Sequence, residues 1–208
     1  MTLPRGSPTE WSAAADRPWV VPRSHWDQRG FLMLHYTVFR TSWGWFGLAG
    51  PEGAVSRTCL PVEQRDAAER ALLLGLNSSA GEIRLDPDFL PDLQRRIVAY
   101  FKGEPADFRT DPPLALDRLT PFGRQVLNAC RNIPPGRTRT YSDLASETGR
   151  PSAARAVGGV MAANPVPLIV PCHRVLRTDG ALGGFSAPGG TATKQRLLRH
   201  EQTVPVRS

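Results

Sequence analysis

The 208-residue chain has three cysteines, only two lysines among its 26 basic residues, and no long apolar run. Cys59, Cys130 and Cys172 are too few and too far apart for a disulfide framework or for the close pairs of a structural zinc site, so we expect reduced thiols. No apolar run approaches the roughly 18 residues that a membrane-spanning helix needs. Residues 1–26 contain no apolar stretch typical of a secretory signal. These absences predict a cytoplasmic protein without a membrane partner.

The overall composition is typical of a globular protein, but the charge is unevenly placed. Hydrophobic residues make up 40% of the chain and charged residues 22%, which excludes a wholly disordered chain. Residues 1–112 carry 13 basic and 14 acidic side chains, whereas residues 113–208 carry 13 basic and 5 acidic ones, a net charge of +8. This asymmetry favours a polyanionic partner for the second half. The alternative is that the charge serves solubility only.

The first half shows strand patterns followed by helical ones, which predicts an α/β N-terminal domain over residues 27–112. Residues 1–26 are rich in proline, arginine and tryptophan without periodicity, and we interpret them as an irregular arm. Aromatic and β-branched residues predict a small antiparallel sheet; its strands span residues 31–39, 42–48 and 54–60. Two helical stretches follow; they span residues 62–76 and 88–101, and Gly103 can end the second.

The charge balance changes sign across residues 107–113, where paired prolines predict a domain boundary. A second, mainly helical domain then covers residues 113–208. Thr120 and Pro121 have the pattern of a helix N-cap followed by proline at the first helical position. The apolar face of that helix includes Cys130, which we interpret as a core residue.

Two short helices joined by a glycine-containing turn follow, at residues 141–148 and 153–163. This order is typical of a helix-turn-helix. Gly158 and Gly159 each cost the second helix about 1 kcal/mol relative to alanine. Such a cost makes sense where another molecule must approach the backbone closely; the alternative is tight packing between helices. Residues suited to capping precede both helices; they are Thr140 with Asp143, and Ser152.

A cysteine and a histidine stand side by side after an apolar segment rimmed by prolines. Residues 168–170 predict a short strand, and Cys172 and His173 follow it. A cysteine next to a histidine is a candidate nucleophile, although the pair alone is a weak signal. Because adjacent residues on a strand point to opposite faces, we do not expect His173 to touch the sulfur directly. A bridging water is the natural connection.

Residues 171–175 (PCHRV), preceded by residues 164–165 (NP) and 154–159 (ARAVGG), resemble the O6-alkylguanine-DNA alkyltransferase family, also called methylated-DNA–protein-cysteine methyltransferases. The resemblance extends from about residue 119 to 201 with order and spacing intact. It implies an N-terminal α/β domain of ribonuclease-H-like fold. It also implies a mainly α C-terminal domain with a winged helix-turn-helix-like DNA-binding motif.

The resemblance implies DNA repair by direct damage reversal, without a cofactor. Cys172 would accept the alkyl group of O6-alkylguanine, and of O4-alkylthymine, in double-stranded DNA by one in-line displacement, and each molecule would act once. His173 and Glu201 would form, through a water, the network that withdraws the thiol proton. Asn164 would be the hinge that joins the recognition helix to the active-site strand.

The same resemblance implies roles toward DNA and the base. Tyr141 would crowd the 3′ phosphate of the target nucleotide and assist rotation of the base. Arg155 would enter the duplex in place of the extruded nucleotide, and the small residues Ala154 and Gly158 would allow close contact with the minor groove. The base pocket would be lined by residues of and near the 183–186 loop; these are Val175, Phe185 and Ser186.

Some features depart from the family pattern. Phe185 stands where tyrosine is common, and residues 186–190 are longer than in compact members. The role of Arg174 stays open: it is either paired inside the domain as a structural residue or in contact with DNA. His200 is expected at the surface. We expect no metal, because the N-terminal half offers too few ligands for the zinc site of some relatives; these are His25, His35 and Cys59.

Two other functions stay open at this point. One is a DNA-binding module without chemistry, such as a damage sensor; sensors of that type replace the acceptor cysteine, which this chain retains at Cys172. The other is a Cys-His hydrolase, for which the sequence shows no oxyanion-hole motif and no orienting Asn or Asp beside the pair. We expect the protein to act as a monomer.

Overall fold

The computed structural model describes residues 33–74, 76 and 82–203. The predicted arm, residues 1–26, lies outside the described residues. Within them the strands are β1 (Met33–Thr41), β2 (Gly44–Gly50), β3 (Arg57–Val62), β4 (Glu82–Leu85), β5 (Arg139–Thr140) and β6 (Val175–Leu176). The α-helices are α1 (Arg65–Leu74), α2 (Pro91–Phe101), α3 (Pro121–Arg131), α4 (Tyr141–Glu147), α5 (Ala154–Ala162) and α6 (Gly190–Thr203).

The first four strands form a mixed sheet in the order β3-β2-β1-β4. β1 pairs antiparallel with β2, and β2 pairs antiparallel with β3. The prediction of an antiparallel sheet is right for these three strands but wrong for the sheet as a whole, because β4 pairs parallel with β1, with Met33 opposite Glu82. β4 is a four-residue strand with mostly exposed side chains, so it lacks the apolar pattern that marks a strand in sequence.

The third strand begins at Arg57 rather than at residue 54. Ala54 and Val55 are buried, but they do not extend the sheet: Ala54 closes a turn by donating its N–H to the Pro51 carbonyl at 3.1 Å, and Val55 forms a parallel bridge with Leu114, donating its N–H to the Pro113 carbonyl at 2.9 Å. Gly50 makes the turn feasible, since a Cβ there would lie 2.1 Å from the Ala54 carbonyl oxygen. Backbone approach this close requires glycine.

The two predicted helices of the first half are present but shorter. α1 begins at Arg65, because Pro61 and Val62 extend β3. α2 begins at Pro91, whose fixed φ suits the first helical position. Gly103, with φ of 92°, follows the end of α2 and donates its N–H to the Tyr100 carbonyl, as predicted.

The helices of the second half begin largely where local signals place them. The Thr120 hydroxyl accepts a hydrogen bond from the Gly123 N–H at 3.1 Å, which caps α3, and Cys130 is fully buried in its core face. Thr140 and Asp143 form a reciprocal capping box at α4. The prediction that Ser152 caps α5 is wrong: Ala153 holds that position and makes no side-chain cap bond.

Both faces of the sheet are covered by apolar side chains. The smaller cluster lies between the sheet and α1 and includes Leu34, Val38 and Leu72. The larger one joins the other face of the sheet to α2, α3, α4, α5 and the 166–175 segment. None of the helices in the described part of the chain is both long and apolar enough to span a membrane.

The edge strand β3 is joined directly to the segment that follows α5. Thr58 donates its backbone N–H to the Pro165 carbonyl at 2.9 Å, and its hydroxyl donates to the Pro167 carbonyl at 2.7 Å. The sheet of the first half therefore supports the chain just ahead of Cys172.

Candidate active site

Cys172 lies in a short 3-10 helix, Cys172–Arg174, rather than at the end of a strand. The predicted strand at 168–170 is wrong. Leu168 has φ of 81°, which is outside the range of a strand. The backbone of this segment hydrogen bonds to the Asn164 side chain and not to a neighbouring strand: Asn164 Oδ1 accepts from the Val166 N–H at 3.0 Å, and Nδ2 donates to the Val170 carbonyl at 2.9 Å. This turn delivers the cysteine into a buried position.

The Cys172 sulfur is held by Asn164. The thiol-bearing residue is only 6% exposed, and Asn164 Nδ2 donates to Sγ across 3.2 Å. Burial raises the pKa of Cys172, whereas the Asn164 hydrogen bond and the positive charge of Lys194 lower it. The site therefore contains two groups that favour the thiolate within an environment that otherwise opposes it.

Glu201 is the centre of a buried network beside the cysteine. Its Oε1 accepts from His173 Nε2 at 2.8 Å, from Arg174 Nη2 at 2.7 Å and from the Tyr100 hydroxyl at 3.0 Å. The Arg174 Nε atom also donates to Oε2 at 2.9 Å. Burial opposes ionisation of Glu201, but the interactions with His173 and Arg174 outweigh it and hold the pKa of Glu201 well below its ordinary range.

His173 is neutral and has one ring nitrogen available. Burial lowers its pKa, partly opposed by Glu201. Since Nε2 donates its proton to the ionised Glu201, Nδ1 carries the lone pair, and no described side chain hydrogen bonds to it. No direct hydrogen bond joins His173 to the Cys172 sulfur among the described residues, in keeping with the expectation that the two do not touch.

Three residues of this site were missed or left open by the sequence. Arg174 is buried and pairs with Glu201, and its Nη1 donates to the Ile133 carbonyl at 2.5 Å. Tyr100 comes from α2, and nothing local marks it. Lys194 is fully buried, donates to the Val175 carbonyl at 2.6 Å and lies 5.9 Å from the centre of the Tyr141 ring. Its rarity as one of two lysines was the only signal in the sequence.

A cavity of about 280 Å³ opens at Cys172. Its wall includes Asn164, Met161 and the predicted pocket residues Phe185 and Ser186. Ser186 is fixed by a hydrogen bond from its hydroxyl to the Ala162 carbonyl at 2.7 Å. A larger depression of about 490 Å³ lies between β1 and α2, but none of the described residues that line it is a cysteine or a histidine, so of these two cavities the smaller one contains the candidate nucleophile.

Val175 and Tyr141 take other positions. Val175 is fully buried in the core and is not part of the cavity wall; its carbonyl instead holds Lys194. Tyr141 is the first residue of α4, and its ring packs against Gly183, where a Cβ would lie 2.8 Å from the tyrosine oxygen. The glycine at 183 therefore allows the 183–186 loop to approach the tyrosine.

α5 presents its small residues to open space. Arg155 is exposed, and Ala154 and Gly158 are half-buried. A Cβ placed on Gly158 or Gly159 would meet nothing within 4 Å outside the helix. Tight packing between helices therefore does not explain the two glycines, which leaves access to the helix surface as the remaining interpretation.

The prediction that His200 lies at the surface is wrong, because the residue is half-buried. Its Nε2 lies 2.6 Å from the Tyr100 carbonyl oxygen, and its ring packs edge-on against Trp43. Of the residues considered for zinc, His35 contacts Asp86 at 3.0 Å and Cys59 is buried, whereas His25 lies outside the described residues. Across residues 33–74, 76 and 82–203 there is no group of three or more potential metal ligands.

Comparison with known proteins places the site in a family. Residues 121–203 match the model described as "6-O-methylguanine DNA methyltransferase, DNA binding domain". The methylated-DNA–protein-cysteine methyltransferase of Salmonella typhimurium is 51% identical over 115 residues, 52% of this chain and 61% of that protein. The chain thus spans about three fifths of the length of that curated relative.

Other relatives match over most of their length. The methylated-DNA–protein-cysteine methyltransferase of Mycobacterium tuberculosis is 34% identical over 171 residues, 82% of this chain and 94% of that protein. The crystal structure of the M. tuberculosis O6-methylguanine methyltransferase superposes with a TM-score of 0.66 and 33% identity, covering 84% of this chain and 97% of the other. A structure of the same M. tuberculosis protein in complex with DNA gives a TM-score of 0.66 at 34% identity, covering 83% and 96%. The chain has a buried thiol next to a histidine–glutamate pair and an α/β sheet joined to helices, and its match covers nearly the whole length of the M. tuberculosis relative. It therefore belongs to the methylated-DNA–protein-cysteine methyltransferase family.

Proposed function

We propose that the protein repairs double-stranded DNA by transferring the alkyl group of O6-alkylguanine, and of O4-alkylthymine, to its own Cys172. The observation that carries the proposal is the Cys172 thiol, buried at a cavity and held by Asn164 at 3.2 Å beside a His173–Glu201 pair. The DNA complex of the M. tuberculosis relative supports DNA as the partner.

The thiol must lose its proton before it attacks. Neutral His173 offers Nδ1 as the acceptor, and a water between Nδ1 and the sulfur would carry the proton. Glu201, ionised at neutral pH, stabilises the resulting imidazolium through its 2.8 Å contact with Nε2. Asn164 Nδ2 and Lys194 then stabilise the thiolate that remains.

The transfer is one displacement. The Cys172 sulfur forms a bond to the alkyl carbon while the bond from that carbon to O6 breaks, and the electron pair passes to the guanine. The guanine gains one proton, which balances the proton lost by the thiol. The product is a thioether, and no reductant or leaving group regenerates the thiol, so each molecule acts once.

Access to the base requires that the nucleotide leave the stack. Exposed Arg155 on α5 would fill the gap, and the small residues Ala154 and Gly158 would allow the helix to enter the minor groove. Tyr141 would press on the 3′ phosphate. The open space around Gly158 and the net charge of +8 on residues 113–208 support this placement of DNA.

The same proposal gives a finer description of the fold. The mixed sheet with α1 and α2 corresponds to a ribonuclease-H-like N-terminal domain over residues 27–112. The adjacent α4 and α5, with the short parallel pair of β5 and β6, correspond to a winged helix-turn-helix in a domain over residues 113–208. A monomeric state and a cytoplasmic location stay predictions.

The proposal is tested by intact-mass measurement after incubation with a duplex containing O6-methylguanine. We expect one added methyl group, located on Cys172 by peptide mapping, and no turnover beyond one equivalent. Cys172→Ser should lose the transfer, whereas the matched variant Cys59→Ser should keep it. Binding of the lesion without any methyl transfer by the unmodified chain would instead indicate a damage sensor.

A further inference from the structure

Trp43, in the turn between β1 and β2, joins the sheet to the last helix, α6. The Arg196 guanidinium lies over its ring, with Cζ 3.7 Å from the ring centre. The His200 ring meets it edge-on, with the two ring centres 5.0 Å apart. Arg196 and His200 are four residues apart on α6, so they lie on one face of that helix. Trp43 therefore contacts α6 over one full turn.

The neighbouring face of α6 carries active-site residues. Glu201 follows His200 directly, and Lys194, Leu197 and Glu201 recur at three and four residues, as one face of a helix requires. All three are buried. The residues that touch Trp43 and the glutamate of the active site therefore belong to the same stretch of helix, so a contact that holds one face also places the other.

A second route leads from Trp43 to Glu201 through α2. The Trp43 ring packs against the Phe101 ring, with centres 5.2 Å apart, and the Tyr100 ring packs edge-on against His200 at 5.1 Å. His200 Nε2 lies 2.6 Å from the Tyr100 carbonyl oxygen. The Tyr100 hydroxyl donates to Glu201 Oε1 at 3.0 Å. Direct contacts thus connect the tryptophan ring to the carboxylate.

Glu201 lies in a part of α6 that needs such support. It is in the last turn of the helix, which ends at Thr203, and terminal turns open most easily because their carbonyls lack intrahelical partners. The carboxylate must stay 2.8 Å from His173 Nε2 to stabilise the imidazolium. The ion pair with Arg174 does not secure this bond, because Arg174 Nη2 donates to the same oxygen at 2.7 Å. Arg174 can therefore keep the carboxylate after a shift that separates it from His173.

We propose that Trp43 is a positioning residue for alkyl transfer: it holds the last turn of α6 against the sheet and so keeps Glu201 within hydrogen-bond reach of His173. The inference rests on the proposed function, in which His173 accepts the proton of Cys172. A displaced Glu201 stabilises the imidazolium less, so the thiol becomes harder to ionise. The sheet thus acts on the chemistry without touching the substrate.

The ionisation of Cys172 reports whether Glu201 is in place. Other titratable side chains also interact with the thiol; they are Cys130 on α3, Tyr141 on α4 and Lys194 on α6. Lys194 is hydrogen-bonded to the Val175 carbonyl at 2.6 Å, about two turns before Glu201. A shift of the last turn of α6 therefore changes the pH dependence of Cys172 reactivity through the His173–Glu201 pair.

The test measures modification of Cys172 by iodoacetamide and, separately, by a duplex containing O6-methylguanine. Rate constants are taken from intact mass across the pH range in which a thiol titrates. Trp43→Ala should slow both reactions about tenfold at neutral pH, as a rise of about one unit in the apparent pKa of Cys172 would do. In alkali, where the thiol is ionised in both proteins, the iodoacetamide rates should converge. Trp43→Phe keeps a ring against His200 and should recover most of the loss.

Trp45→Ala is the matched control. Trp45 is also half-buried and lies near two guanidinium groups, those of Arg40 at 5.6 Å and Arg65 at 5.9 Å, but it packs on the α1 side of the sheet. Its loss should leave both pH profiles of the folded protein unchanged. His200→Ala breaks the Trp43 contact from the α6 side and should reproduce the Trp43→Ala profile, which decides the matter if Trp43→Ala does not fold.

Three results would overturn the proposal: unmodified rates in a folded Trp43 or His200 variant, a decrease by one constant factor at every pH, or an equal shift of the profile by Trp45→Ala. The constant factor is what simple loss of folded protein would give. If the unmodified chain reacts with iodoacetamide but transfers no methyl group, the proposed function fails. The iodoacetamide profiles then still decide whether Trp43 positions Glu201.

Discussion

The Glu201 network makes a quantitative prediction. Glu201→Gln keeps the shape of the side chain but removes its charge, so Arg174, only 4% exposed, loses its ionic partner. Breaking a buried pair on one side costs about 3–5 kcal/mol, a large share of the roughly 5–15 kcal/mol that stabilises a domain. We expect the free energy of unfolding, measured by urea denaturation, to fall by that amount.

The same substitution should slow alkyl transfer in the protein that remains folded. Without the carboxylate, the imidazolium of His173 loses its 2.8 Å partner, so His173 becomes a weaker proton acceptor. General-base assistance is typically worth about 10²-fold or more, and we expect a decrease near that lower value. The rate is measured as methylation of Cys172 by intact mass, under conditions in which circular dichroism shows a folded protein.

Tyr100→Phe is the matched control for both measurements. It removes one hydrogen bond to the same Oε1 atom, 3.0 Å long, and leaves the ion pair in place. A hydrogen bond to a charged group is worth about 1.5–3 kcal/mol, so this variant should be less destabilised than Glu201→Gln. If Glu201→Gln lost less stability than Tyr100→Phe, or if it transferred methyl at the unmodified rate, the assigned roles of the network would be refuted.

Three further predictions follow from the same site. The pKa of Glu201 is depressed in the folded state, so its contribution to the free energy of unfolding is complete above the unfolded carboxylate pKa of about 4.3 and is lost as the pH falls through the folded value. The stability difference between the unmodified chain and Glu201→Gln should therefore be full at pH 7 and shrink in acid. A pH-independent difference in urea titrations would contradict this. Cys172→Ala should abolish transfer and leave DNA affinity intact in a fluorescence-anisotropy titration, whereas residual methylation, for instance at Cys130, would show that the acceptor is misassigned. Arg155→Ala should slow repair in duplex DNA by a penalty of up to a few kcal/mol but not the reaction with free O6-benzylguanine, which needs no base flipping; equal losses in both assays would make Arg155 a scaffold residue.

Elements with local signals were predictable. α3 and α4 begin directly after Thr120 and Thr140 because each threonine caps the helix with its own hydroxyl, an interaction that spans three residues. β4 was not predictable, because within the described residues it is held in the sheet by parallel pairing with β1, on the other side of α1 in the chain. The 168–170 segment failed as a strand for a related reason: the Asn164 side chain replaces the sheet partner.

The sequence by itself determined the candidate nucleophile and its immediate neighbours. Cys172, His173 and Asn164 lie within ten residues; the adjacent cysteine and histidine indicated a candidate nucleophile, and the family resemblance implied that His173 takes part in proton withdrawal and that Asn164 is a hinge. The small residues of α5 were equally visible, and only their purpose was open. These features can be recognised in the sequence because the chemistry requires particular residue types close together in the chain.

Only the tertiary structure decided what surrounds that group. Tyr100 reaches Glu201 from 101 positions earlier in the chain. Lys194 is buried against the Val175 carbonyl. No periodicity marks these residues, because their positions depend on how the sheet packs against the helices. Burial then fixes their chemistry, since loss of water makes each charge depend on the partners that the fold supplies.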